Sequence, residues 1–339
     1  MKNILIIKLR YIGDVILSLP TLKMLREHYP GARLVCLVNP GTQEVLTHNP
    51  HVDEVLVMAR GSLREQIEFL LELRNHHFDC VIDLTDGDRS AFLSWFSGAP
   101  RRIGFNRENR WRGMLYSDCV DGEPDGDRHM VVHHAQALRP LGVTSLPFDP
   151  TIDVPEEYSA NVRTKLERLG LFHLPWVMMH TTARYWFKAW PIERFALLIN
   201  KIQAKGIPIV LVGHSADFNE ASFLQAEAKE SLISLVGETS LLELSGFMKN
   251  ASLFVGNDTG LMHMAAAVGC PVVALFGPTD PDVWGPRGPK VRTIYKGLDC
   301  RACFHPGCSR GEESCMNQIS VDEVYLAVLE LLHEAMSKS

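Results

Sequence analysis

Residues 252–279, SLFVGNDTGLMHMAAAVGCPVVALFGPT, constrain the fold more than any other stretch of the chain. A short apolar run (Leu253, Phe254, Val255) stops at Gly256, and the polar turn Asn257-Asp258-Thr259-Gly260 follows. An Ala- and Met-rich segment with helical character then runs from Leu261 to Val268, closed by Gly269, before a second apolar run from Pro271 to Phe276. Strand, turn, helix and parallel strand make one βαβ unit. Asp258 or Thr259 is expected to cap the helix. Gly260 lets another group approach the backbone, so that the free N–H groups of the helix can face an anion such as a pyrophosphate. The same pattern also describes a well-capped helix in any α/β protein, so the stretch alone leaves both readings open.

The rest of the chain repeats this alternation. Strands are expected at Asn3–Leu9, Arg33–Val38, Glu54–Met58 and Cys80–Leu84, with a long polar helix over Ser62–His76. A helix carrying Val15, Leu19 and Leu22 on one face follows the first strand, and Pro20 should kink it. Ligands of such parallel sheets collect at the carboxyl ends of the strands, here Arg10–Asp14 and Thr85–Asp88. Between Arg101 and Asp127 the pattern loosens, and Arg101, Arg102, Arg107, Arg110 and Arg112 form either a solvated face or a receiver of phosphates and acidic sugars. A second half restarts at Trp176–His180, continues through strands at Ile207–Val212 and Leu232–Val236, and ends in an amphipathic helix, Val321–Ala335.

At 339 residues the chain exceeds what one core usually organises. Two α/β domains are therefore expected, over 1–172 and 173–339, with the last helix packing back on the first. With 46% hydrophobic and 22% charged residues the composition is that of a soluble globular protein, and a net charge of −6 argues against a nucleic-acid partner. The apolar runs are too short to span a bilayer, and the N-terminal ILII is interrupted by Lys8 and Arg10 and does not read as a secretory signal, so a cytoplasmic protein is expected. Of eight cysteines, Cys36, Cys80, Cys119 and Cys270 are scattered in or beside apolar segments, where a free thiol acts as a small core residue.

Two parallel-sheet Rossmann-like domains facing across a cleft describe the GT-B architecture of nucleotide-sugar transferases. Four segments carry a closer resemblance: KLRYIGD, RSAFLSWFSGAPRRIGF, HTTARYWFKAWP, and GNDTGLMHMAAAVG with ALFGPTDP. Together, and in this order from Lys8 to Pro281, they resemble glycosyltransferase family 9, the ADP-heptose:lipopolysaccharide heptosyltransferases. KLR before the Gly-Asp pair and RYWFK in the central loop are most similar to the heptosyltransferase III branch.

The resemblance implies an inverting, metal-independent transfer of heptose from ADP-heptose to the inner core of a lipid A–core oligosaccharide, by an enzyme peripheral to the cytoplasmic face of the inner membrane. It matches Asp14 to the general base, Thr182 and Lys188 to phosphate contacts, and Asp258, Thr259 and Gly260 to the donor-site turn. Lys8, Arg10 and Gly13 are the acceptor contacts expected on the same ground. Gly213 and Thr239, in turns after second-domain strands, are placed to line the base and ribose. The chemistry suits these residue types, because departure of ADP without a metal leaves charge for Lys188 and helix amides to meet. Plainer readings stand beside these: Asp14 as the N-cap of the helix it precedes, and Lys188 as a side chain lying over Phe187 and Trp190.

Asp-x-Asp pairs at Asp86/Asp88, Asp125/Asp127 and Asp280/Asp282 are read as turn chemistry rather than metal ligands. Cys300, Cys303, Cys308 and Cys315 are spaced C-x2-C-x4-C-x6-C, which fits a structural zinc site, with His305 as an alternative ligand, or a set of free thiols. No cofactor is expected for catalysis. The rival functions are a sugar-nucleotide epimerase on the same scaffold and a non-catalytic nucleotide-sugar binder. An NAD-dependent oxidoreductase is disfavoured, because neither half shows G-x-G-x-x-G after its first strand.

Overall fold

The computed structural model describes residues 1–106, 109–121, 128–300 and 307–336. Its contacts divide the chain into two units, Met1–Asp153 and Val154–Ser339. The first unit runs β1 (Asn3–Lys8), α1 (Ile12–Ile16), α2 (Leu19–His28), β2 (Arg33–Val38), α3 (Glu44–Thr47), β3 (Glu54–Val57), α4 (Leu63–Asn75), β4 (Cys80–Asp83), α5 (Asp88–Phe96), β5 (Arg101–Phe105), β6 (Asp118–Val120) and α6 (Met130–Gln136). Its six strands are all parallel, in the order β3-β2-β1-β4-β5-β6. Ile4, Leu5, Ile6 and Ile7 are all buried, as a strand covered on both faces requires. The winding reverses between β1 and β4, which leaves a crevice between the loops that follow them.

The second unit runs α7 (Glu156–Arg168), β7 (Val177–His180), α8 (Ile192–Gln203), β8 (Ile209–Leu211), α9 (Phe218–Glu227), β9 (Ile233–Ser234), α10 (Leu241–Asn250), β10 (Leu253–Asn257), α11 (Gly260–Ala267), β11 (Val272–Phe276), α12 (Pro281–Trp284), β12 (Val291–Tyr295), α13 (Cys315–Gln318) and α14 (Val321–Met336). Its parallel sheet has the order β12-β11-β10-β7-β8-β9, with the reversal between β7 and β10. The expected βαβ unit is therefore β10-α11-β11, and its leading strand flanks the switch point.

Several expectations change. Pro20 does not kink one helix. The chain breaks at Leu17–Ser18, where Ser18 Oγ donates to Val15 O at 2.7 Å, and Pro20 falls in the first turn of α2, where a missing N–H costs nothing. The loosened span after Arg101 holds two strands, β5 and β6, and its arginines are largely committed internally. Arg101 pairs with Asp118 at 3.3 Å, and Arg102 donates to Leu115 O and Ala99 O. Arg107 and the Asp125/Asp127 pair lie outside the described residues.

The division falls after Asp153, not Phe172, because α7 belongs with α10. Val162 and Leu166 are buried, Lys165 pairs with Glu243 at 2.6 Å, and a Cβ on Gly246 would meet Val162 Cγ2 at 2.9 Å. The last helix is built into the core of the second unit. Val324, Val328, Leu331 and Leu332 join that unit's core, and Lys201 pairs with Asp322 on its flank.

Candidate active site

At the second switch point, β10 ends in Asn257, whose side chain is fully buried and ties three segments together. Its Oδ1 accepts from Trp190 N at 3.0 Å, and its Nδ2 donates to Thr181 O at 3.0 Å and Thr182 O at 3.2 Å. Trp190 is itself anchored through Nε1 to Ile319 O. The central loop is thereby held against the turn that opens α11. Within it, Lys188 Nζ lies 2.5 Å from Asp258 Oδ2, with side chains 22% and 7% exposed, and Thr182 and Thr259 both reach His180.

This arrangement overturns the expected cap. Thr259 occupies the N-cap position of α11, but neither it nor Asp258 bonds a helix amide: the Thr259 hydroxyl is engaged by His180 and the Asp258 carboxylate by Lys188. Among the described residues no side chain accepts from the first N–H groups of α11, and Gly260 puts no side chain before them. Partial positive charge at a helix N-terminus and an ammonium group converge there, which is the electrostatics an anion needs. The lysine is held by a carboxylate, as well as lying close to Phe187 and Trp190 in the chain.

Two strands over, Gly237 N donates to Gly213 O at 2.9 Å, so the loops carrying Gly213 and Thr239 are joined directly. Any side chain at Gly213 would run into Asp217, whose carboxylate caps the same turn by accepting from His214 N at 2.7 Å. Thr239 is half-buried beside Ser240, the cap of α10. The donor-site residues expected from sequence therefore lie at the carboxyl ends of β7, β8, β9 and β10. Asn257 and His180, which hold them there, were not singled out as site residues. Asn257 bonds across 67 to 76 positions and His180 reaches Thr259 79 positions away, contacts that leave no local pattern, although Thr182 is two residues from His180.

In the first unit, Asp14 is the third residue of α1, whose N-cap is Tyr11, so the capping reading of Asp14 does not hold. Its Oδ1 lies 3.5 Å from Lys8 Nζ. Lys8 is 4% exposed, and its ammonium also donates to Leu84 O at 2.9 Å and meets His134 Nε2 at 2.8 Å. His134 Nδ1 faces the Leu17 carbonyl at 3.1 Å, which only an Nδ1–H can satisfy, so Nε2 is the acceptor for Lys8. Burial pulls Lys8 below its ordinary lysine pKa, with Asp14 opposing, and pulls His134 well below the usual histidine value, with Lys8 adding to the effect. With all three donors committed, Lys8 is a support for Asp14 and not a free acceptor contact. Gly13 is buried too, and of the three expected acceptor contacts Arg10 alone is exposed, one Nη2 donating to Thr85 O.

The loop after β4 completes this crevice. Asp83 is buried and accepts from Tyr116 OH at 2.7 Å and Thr85 N at 2.8 Å, and burial raises its pKa. Asp86, in the left-handed region at φ 55°, and Asp88 both face the buried guanidinium of Arg112. Asp280 caps α12 by accepting from Asp282 N. These aspartates are engaged in turns and ion pairs.

Cys36, Cys80 and Cys270 are buried free thiols with raised pKa values, about 12 for Cys80, while Cys119 is exposed on β6 and is not a core residue. Cys300 and Cys308 are partly exposed, Cys315 is buried, and Cys303 and His305 lie outside the described residues. Among the described residues no group of three or more His, Cys, Asp or Glu could hold a metal ion. Cys308 and Cys315 line a cavity of about 210 Å³ with Trp186, Phe187 and Met316.

Residues 67–313 match the model of glycosyltransferase family 9 (heptosyltransferase). The chain is 31% identical to lipopolysaccharide heptosyltransferase 3 of Escherichia coli K12, over 85% of this chain and 86% of the relative. Its structure is similar to that of a glycosyl transferase family 9 protein from Veillonella parvula, with TM-score 0.86 at 24% identity, covering 98% of this chain and 97% of the other. It is also similar to E. coli ADP-heptose lps heptosyltransferase II, with TM-score 0.81 at 25% identity, covering 99% of this chain and all of the other. The fold class is accordingly α/β of the GT-B type, and the activity class is glycosyl transfer. The chain belongs to glycosyltransferase family 9, the heptosyltransferases, in the branch of lipopolysaccharide heptosyltransferase 3.

Proposed function

We propose that the chain transfers heptose from ADP-heptose to an inner-core heptose of the lipid A–core oligosaccharide, with inversion and without a divalent cation. The observation that carries this reading is the N-terminus of α11, which no side chain among the described residues caps, beside Lys188 at the switch point of the second sheet. As ADP leaves, charge develops on its β-phosphate, and preorganised amides with one ammonium stabilise that charge in the way a metal otherwise would. Asp258 takes one of the three N–H donors of Lys188 and fixes its direction, and the remaining donors serve the phosphates. Gly213 and Thr239 line the nucleoside.

Inversion needs a base on the face of the sugar opposite ADP. Asp14 takes that role, accepting the acceptor hydroxyl's proton late, as the hydroxyl acidifies on bonding to the anomeric carbon. Lys8, itself held by Leu84 O and His134, restrains the carboxylate, and Arg10 is the exposed cation nearest in sequence for an acidic acceptor. Because that acceptor is lipid-anchored, the enzyme works peripherally at the cytoplasmic face of the inner membrane. No helix among the described residues is long and apolar enough to cross a membrane.

Mass spectrometry of lipopolysaccharide from a strain lacking this chain tests the reading. One core heptose should be missing, restored by the wild-type chain and not by Asp14→Asn. An unaltered core would contradict it.

A further inference from the structure

His180 stands between two hydroxyls of the donor site, with Nε2 3.1 Å from Thr182 Oγ1 and Nδ1 3.2 Å from Thr259 Oγ1. The ring closes β7 and is buried, and its backbone is locked by the neighbouring strand. It lies in register with Gly256, where a Cβ would come within 3.0 Å of His180 O. Burial disfavours the imidazolium and pushes the ring down to about 4, with Asp217 opposing but not cancelling the effect. A neutral imidazole has one N–H and one lone pair. One threonine must therefore accept from the ring, which frees its own proton for another partner. The other must donate to the ring and has only lone pairs left to offer.

The position of Thr259 decides which is which. It is the N-cap of α11, beside amides that no side chain among the described residues caps, where a ligand is an anion and every useful group is a donor. We propose that His180 is a positioning residue of the donor site, donating from Nδ1 to Thr259 and accepting at Nε2 from Thr182. The Thr259 proton is thereby aimed at the diphosphate of the nucleotide donor, and the Thr182 lone pairs at a hydroxyl of its sugar. This rests on the donor reading above and departs from the resemblance at Thr182, which it moves from a phosphate contact to a sugar contact, while Thr259 keeps its place in the donor-site turn.

Calorimetric titration of the full chain with ADP separates the two claims. Binding by the wild type supports the donor reading, and its absence retires that reading together with the ligand half of this one. Thr259→Val should weaken ADP binding about tenfold or more, the loss of one hydrogen bond to a charged group, and Thr182→Val by less than about threefold. His180→Phe should weaken it about as much as Thr259→Val, and the double variant no further, because the ring acts through that hydroxyl. A larger loss for Thr182→Val, or losses that multiply in the double variant, overturns the assignment. Imidazole nitrogen shifts of the wild-type protein at neutral pH test the polarity without any variant. They should report a neutral His180 with its proton on Nδ1, and an Nε2–H ring or an imidazolium overturns it.

Discussion

Single residues here act through what holds them. Asp14 sits 3.5 Å from an ammonium that is itself fixed by a carbonyl and a neutral imidazole, so its position is set by Lys8 and His134. In Asp14→Asn the amide oxygen still accepts from Lys8 and the helix is unchanged, while the base is gone. Steady-state kinetics should therefore show kcat falling about 10²–10⁴-fold with little change in KM for the donor. Lys188→Ala should nearly abolish donor binding. It also leaves Asp258 buried without its partner, so denaturation should show a loss of about 3 kcal/mol. Unchanged donor binding would remove Lys188 from the site.

Two of the buried histidines, His134 and His180, give the protein an acid-side weakness. In the unfolded chain they titrate near 6.5, whereas in the fold burial keeps His180 neutral down to about 4 and His134 well below its ordinary value. Above pH 6.5 both states are neutral and neither histidine contributes a slope. As pH falls from there toward 4, the unfolded chain takes up protons that the native one does not, so stability drops by up to about 1.4 kcal/mol per pH unit for each histidine. Denaturant midpoints measured from pH 7.5 to 4.5 should show that decline. They should show a shallower one in His134→Gln.

At the scale of elements, the alternation of apolar runs and polar helices places β1 to β4 and β7 to β11, because the central strands, buried on both faces, read as continuous apolar runs and the edge strands β3 and β9 still lie in short ones. The strands without such a run are shorter or more polar. β5 opens on Arg101 and Arg102, β6 has three residues, and β12 buries only Ile294 at a sheet edge, so none carries a clear apolar run. Asp14, Lys188 and the Asp258 turn were legible from motif resemblance, but the Asn257 clamp, the His180 bridge and the burial of Lys8 depend on distant partners. The unit boundary was misplaced for the same reason. The polar helix α7 shows no local sign that Val162 and Leu166 dock on α10. Leu166→Ala should cost about 2–5 kcal/mol of the second unit's stability. Hydrogen exchange should then quicken in Leu241–Asn250 and stay unchanged in β1 and β4. Loosening of the first sheet instead would contradict the boundary at Asp153.

For the whole molecule, two sheets with the same kind of strand order each place a candidate loop pair where that order reverses, one carrying the Asp14 loop and the other the Lys188 and Asp258 loops. The proposed division of labour gives a base to one unit and anion stabilisation to the other, with no carboxylate pair kept for a metal. That claim is tested most directly by incubating the purified, EDTA-treated chain with ADP-heptose and a heptose-terminated lipid A–core acceptor, and following the acceptor by mass spectrometry. The account predicts gain of one heptosyl unit with release of one ADP, at the rate of untreated enzyme. No transfer until Mg²⁺ or Mn²⁺ is restored, or conversion of the donor without acceptor, would contradict it.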